Sequence, residues 1–243
     1  MSIICTIAAK EFKGYFKNYT AYIVAFVYLL LSFAATFYAA HFFEYDNRAL
    51  ASFFAYQPEI LNVLLPALTM KMWAEESRLG TLEFVLTQPV KISVFVWGKF
   101  WAAVMFALCL LLMTIPFTVY TSFFVDFDML NLLSAYLGWI LAAVALCAVG
   151  CLVSACNGNV IVAYISSVFV GWLLENINLD VVFSPLKMVF PFAMRDLNDL
   201  LNFGANYQAF AQGQPSLTAA VYFIFTAWFA LVLNQYAVAV RRK

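Results

Sequence analysis

Four stretches of this chain run for 26 residues or more without a formal charge, at 18–43, 100–125, 129–174 and 200–240. A helix needs roughly 20 apolar residues to cross about 30 Å of hydrocarbon. A chain inside lipid must also satisfy its own backbone amides, which favours helices over open sheet. These runs therefore point to an all-α polytopic membrane protein. Composition agrees, with 65% hydrophobic and 11% charged residues where a soluble domain carries about a quarter charged. The same figures exclude a disordered chain and a nucleic-acid binder, which needs a basic face against phosphate.

The runs divide into spans. The stretch from Met129 to Leu174 is long enough for two helices, and Asn157-Gly158-Asn159 in its middle has hairpin-turn chemistry. The last run carries Asn202, Asn206, Gln208, Gln212, Gln214 and Pro215 in its first half, so only its second half reads as a span. One further span is needed between Arg48 and Lys71. Pro58 suits its first turn, and Pro66 is tolerated where neighbours satisfy the freed carbonyl. Six spans are predicted at 20–43, 53–73, 97–122, 130–155, 160–178 and 217–240.

An even count places both termini on one side, and basic residues identify that side as cytoplasmic. Ten lysines and arginines fall on it, against Arg48, Lys187 and Arg195 on the other. The acids are distributed the other way, with only Glu11, Glu75, Glu76 and Glu83 on the cytoplasmic side. The first apolar stretch follows three lysines and is too long for the core of a cleavable signal. Ala143, Cys147, Cys151 and Ala155 form a row of small residues suited to close helix approach, and the five cysteines do not suggest a disulfide framework.

Three pieces lie outside the spans. In residues 2–19, Lys10, Lys13 and Lys17 fall within about 60° of one another on a helix, while Phe12, Tyr15 and Phe16 spread over the opposite half. This predicts an interfacial helix, either an anchor for the first span or a mechanical sleeve along the inner leaflet. In the cytoplasmic loop 74–98, Leu79, Leu82 and Leu86 cluster within about 60° of helical arc, with Glu76 and Glu83 on the adjacent flank and Pro89 as the stop. An acidic amphipathic helix is repelled by an anionic leaflet, so docking into another protein is favoured. The outer segment 179–216 is apolar yet broken by Pro185, Lys187 and Pro191, which suits half-helices that dip into the outer leaflet.

Catalytic chemistry finds little support. No G-x-x-x-x-G-K-[ST] loop is present. A single histidine, His41, excludes multi-histidine zinc sites, and no metal site is expected. Glu75-Glu76 resembles the di-glutamate of intramembrane CAAX-type proteases, but the accompanying Arg and histidines are missing. Glu59 is an acid at the edge of a span and so a candidate functional group. Its place in the first helical turn also gives it a structural reading.

The run Glu75-Glu76-x-Arg78-x-Gly80-Thr81-Leu82-Glu83-x-x-Leu86-Thr87-x-Pro89-Val90, followed by Gly98-Lys99, resembles the cytoplasmic loop of permease subunits of type-2 ABC exporters, most similarly the gliding-motility permease group. Pro66-Ala67-x-Thr69-Met70 fits that group, as does Phe210-Ala211-Gln212-Gly213 leading into Tyr222-Phe223. Gln212 stands where the group often has Arg, so that Arg's role is not carried over. The resemblance implies that 1–19 is a connecting helix, that loop 74–92 holds a coupling helix over 75–86, and that 179–216 forms re-entrant helices. It implies docking to a separate ABC ATPase subunit, two copies per transporter, through Glu75, Glu76, Arg78, Leu79, Gly80, Thr81, Leu82, Glu83, Leu86 and Pro89. ATP and Mg would be bound by that partner, with no cofactor and no catalysis in this chain. A second copy or a paralogous permease would complete an exporter in the inner (cytoplasmic) membrane. The alternative is a mechanotransmitting or scaffolding subunit through which nothing crosses.

Overall fold

The computed structural model describes residues 3–17, 19–39, 53–82, 87–121, 128–176 and 201–241. Among these residues all regular secondary structure is helical. The helices are α1 (Ile3–Lys17), α2 (Thr20–Ala34, continuing as a π-helical turn over Ala35–Ala39), α3 (Gln57–Thr69), α4 (Lys71–Arg78), α5 (Ile92–Thr121), α6 (Met129–Cys156), α7 (Val160–Asn176), α8 (Phe203–Ala211) and α9 (Leu217–Val240). Four of them are long and apolar enough to cross a membrane: Thr20–Phe37, Ile92–Thr121, Met129–Cys156 and Leu217–Val240.

Helix α6 is the central post. It packs most extensively on α9 and also meets α3, α4, α5, α7 and α8. Its sequence permits this crowding. Ala143, Cys147, Cys151 and Ala155 are all buried, and small side chains let neighbouring backbones approach closely. Cys151 Sγ lies 3.3 Å from Met72 Sδ. The outer helices bury one stripe each, such as Ala163, Ser167 and Gly171 on α7, and leave Ile161, Ile165, Phe169 and Trp172 exposed. Such an apolar exterior suits lipid rather than water.

Three expectations change. The stretch 53–73 is not one continuous helix: α3 ends at Thr69 and α4 starts at Lys71. The break is stapled from α6, because Ser154 Oγ accepts from Trp73 N–H (3.1 Å) and Ala74 N–H (3.2 Å) and donates to the Met70 carbonyl (2.8 Å). Second, the helix expected over 75–86 is broken at 79–81: α4 ends at Arg78 and Leu82 is again helical. Gly80 adopts φ +70°, the Thr81 amide donates to the Glu76 carbonyl at 3.0 Å, and the Gly80 amide donates to the Ser77 carbonyl at 3.3 Å. These are the paired bonds of a Schellman stop, which a glycine after the last turn favours. Glu83 and Leu86 lie outside the described residues.

Third, α1 packs on protein as well as projecting from it. Its Lys10, Lys13 and Lys17 are exposed as expected, but Ile7 faces α5 so closely that a Cβ on Gly98 would lie 2.6 Å from its side chain. The Tyr15 and Phe16 rings sit 5.7 and 5.8 Å from that of Phe106, and Phe12 and Phe16 pack edge-to-face at 5.1 Å. The apolar face is thus partly covered by α5 rather than wholly given to lipid. Of the outer segment, α8 is packed through Phe203, Tyr207 and Phe210. The broken stretch Val181–Met194 lies outside the described residues.

Candidate functional site: a buried cation joining three helices

Eight residues into the apolar helix α5 sits Lys99, only 3% exposed. A lysine ammonium has three protons to donate, and here it has three acceptors. They are the Met72 carbonyl at 2.8 Å, Glu76 Oε1 at 2.6 Å and Glu11 Oε1 at 3.4 Å. The ammonium also lies 5.0 Å from the centroid of the Trp73 ring, within cation–π range. Glu11 comes from α1, Met72, Trp73 and Glu76 from α4, and Lys99 from α5. One charge therefore ties together the leader, the short helix after the break and a long apolar helix.

Local sequence explains each placement. On α1, Glu11 lies about 100° from Lys10, off the lysine stripe and toward the protein. The Gly98 contact seats α1 close enough for its carboxylate to reach Lys99. On α4, Met72, Trp73 and Ala74 are buried, and Glu76 follows Met72 by one turn on the same side. A cavity of about 220 Å³ opens beside the cluster, lined in part by Gly14, Tyr15, Lys71, Glu75 and Leu79. The Tyr15 hydroxyl and Glu76 Oε2 are buried there without hydrogen-bond partners. Burial, then the nearby Cys151, Glu11 and Cys147, pushes the Tyr15 phenol well above its ordinary range, so it stays protonated.

The residues expected to meet a partner ATPase separate into two groups. Glu76 is turned inward to Lys99. Leu82 is 7% exposed and belongs to the chain's own core. Arg78, Leu79, Gly80, Thr81 and Pro89 are exposed, Leu79 at 62%, and Glu75 is half-buried, 4.0 Å from Arg78. The outcome is a ledge at 78–81 that projects from the helix holding the Lys99 cluster. Arg241, at the end of α9, closes the same end of the bundle by donating to Ser77 Oγ at 2.9 Å and the Asn157 carbonyl at 3.5 Å.

Sequence reasoning counted Lys99 among the cytoplasmic cations and in the Gly98-Lys99 pair that follows the loop, and missed its partners. The usable signal was its position inside an apolar helix, where an ionisable residue needs named partners. Glu175 was also missed. It lies in the last turn of α7, at the end of the bundle opposite Lys99, and accepts from Asn62 Nδ2 at 3.3 Å. Glu59 is exposed in the first turn of α3. Among the described residues no group of three or more His, Cys, Asp or Glu could hold a metal ion. Fold and site together define an all-helical protein with several apolar helices compatible with a membrane. In comparisons with family models and with curated proteins, nothing matches this chain.

Proposed function

We propose that this chain is the membrane subunit of an ATP-driven exporter, receiving the stroke of a separate ATPase at the ledge formed by residues 78–81. The observation that carries the reading is the Lys99 cluster. A ledge that merely hung from the bundle would yield when pushed. This one continues a helix whose inner face is ion-paired through Glu76 to Lys99 of α5, which in turn pairs with Glu11 of α1, so a push on Leu79 is delivered to three helices as one body. Rigid transmission of that kind moves packed elements between discrete arrangements. In this reading α1, α4 and the Lys99 end of the bundle face the cytoplasm, six segments cross the membrane, and two copies or two paralogues enclose the route.

The test is co-purification with an ABC ATPase encoded beside it. Leu79→Asp, on an exposed side chain, is expected to lower ATPase recovery at least about tenfold, the cost of burying an unpaired carboxylate in an apolar seat, while the subunit itself inserts and elutes normally. Undiminished recovery of the ATPase would remove the docking assignment. If docking holds but no candidate lipid or lipophile moves with ATP after reconstitution, the mechanotransmitting alternative replaces export.

A further inference from the structure

At the end of the bundle opposite Lys99, α3 and α7 border an open groove of about 410 Å³. Its upper rim carries two carboxylates, Glu59 and Glu175, and between them lies Asn62. No basic side chain among the described residues pairs with either acid; the ion pairs there involve Glu11, Glu75 and Glu76. Asn62 is 3% exposed. Its amide N–H groups donate to the Val168 carbonyl and to Glu175 Oε2, each at 3.3 Å, while its Oδ1, turned toward Gly171, has no hydrogen-bond partner. Glu175 Oε1 is likewise buried and unpartnered. A buried polar group left without a partner is costly.

The local field has the same sign. Glu175 occupies the last turn of α7, where the helix dipole already presents its negative end and favours cations over carboxylates. Below the rim the groove turns apolar, with Val63, Ile165 and Val168. Phe169 and Trp172 stack there with centroids 6.5 Å apart, and aromatic faces attract ammonium groups. The volume falls within the range of small-molecule sites.

We infer that this groove binds the ammonium group of a cationic amphiphile, with Glu175 and Glu59 receiving the cation, the Asn62 amide holding Glu175 in place, and the α3–α7 wall receiving its apolar body. This goes beyond the ATPase-docking reading and uses residues at the opposite end of the molecule, so either can fail alone.

A primary alkylammonium carrying a dansyl group, compared with the dansyl alcohol of equal chain length, tests the assignment on the full chain in phosphatidylglycerol nanodiscs. The charged probe is expected to bind about tenfold more tightly than the neutral one, corresponding to ~1.4 kcal/mol. Glu175→Gln should abolish that preference and Glu59→Gln should reduce it several-fold, without altering binding of the neutral probe. Val168→Trp, which fills the groove and keeps both charges, should weaken both probes. Equal binding of the two probes to the unaltered protein would overturn the inference, as would a charge preference that survives Glu175→Gln. Since Glu59 is exposed, its variant reports on binding even if a change at Glu175 disturbs folding. Adding phosphatidylethanolamine separates the sources: displacement of the probe makes the ligand a lipid headgroup, and no displacement makes it a free amphiphile. Either result retains the ammonium site.

Discussion

Removing one member of the Lys99 cluster does not cost the same at each position. Glu11 and Glu76 keep side-chain exposures of 31% and 24%, whereas Lys99 keeps 4%. A carboxylate that loses its partner can turn to water, but an ammonium that loses both carboxylates has only the Met72 carbonyl and the Trp73 face. Lys99→Met should therefore be the mild change. Glu76→Gln is expected to cost about 2–3 kcal/mol, below the 3–5 typical of a fully buried pair. The Glu11→Gln/Glu76→Gln double variant should cost more than the sum of its singles, because each single leaves Lys99 one carboxylate. Thermal unfolding in detergent orders the three, and a Lys99→Met variant less stable than the double variant would reverse the assignment. Ser154→Ala is a second residue-scale case. It strips two amides and one carbonyl of a buried partner at once and should cost about 1–3 kcal/mol. The partners of neither residue were legible in the sequence, for one reason. Lys99 meets Glu11 and Glu76 across 88 and 23 residues, and Ser154 reaches Met70 across 84. Hydropathy and periodicity sense neighbours a few residues away and are blind to such pairings.

Helices are a different matter, because their signals are local. The apolar runs contain α2, α6 and α9 whole, α7 as far as Leu174 and all of α5 after Lys99, and the Asn157-Gly158-Asn159 break separates α6 from α7. The failure came where two local signals competed. The recurrence of Leu79, Leu82 and Leu86 suggested an unbroken helix over 75–86 with Pro89 as its stop, while Arg78 in a last turn followed by Gly80 is the ordinary signature of a helix end. The glycine won because two backbone hydrogen bonds depend on its positive φ. A Cβ at Gly80 meets nothing within 4 Å, so Gly80→Ala isolates the conformational cost. It should destabilise by about 1 kcal/mol, with Gly80→Asn costing less because Asn tolerates the left-handed region. Equal melting temperatures for Gly80→Ala and the unaltered protein would mean that the turn is not rigid. Gly98→Val acts through contact instead: its side chain would displace Ile7 and lift α1 from α5. The expected result is faster proteolysis of the leader with α6 and α9 still protected.

At the scale of the molecule the open question is how many segments cross the membrane. Four helices satisfy length and hydropathy. The two others proposed to cross are marginal for physical reasons that the fold addresses. Helix α7 has 17 residues, about 25 Å of rise against roughly 30 Å of hydrocarbon. Helices α3 and α4 together are long enough but are interrupted at Met70. Met70 keeps helical dihedrals and donates to the Pro66 carbonyl, and Ser154 partners the backbone groups that follow, so the junction is satisfied from within the protein. Sequence alone marked this span by the need for one more crossing between Arg48 and Lys71, without revealing what closes its break. Single-cysteine variants settle the count, because each segment changes a different pair of sides. If α3–α4 crosses, Lys10→Cys and the native Cys156 lie on one face; if it does not, three crossings separate them onto opposite faces. If α7 crosses, Cys156 and Gln214→Cys lie on opposite faces; if it dips and returns, they share one. Both introduced positions and Cys156 are exposed. An impermeant maleimide should therefore modify Gln214→Cys in intact cells, and Lys10→Cys and Cys156 only in inverted vesicles. That pattern requires six crossings with the Lys99 cluster at the cytoplasmic end. Labelling of Cys156 in intact cells would move the ledge at 78–81 out of reach of any ATPase, and the proposed function would fall with it.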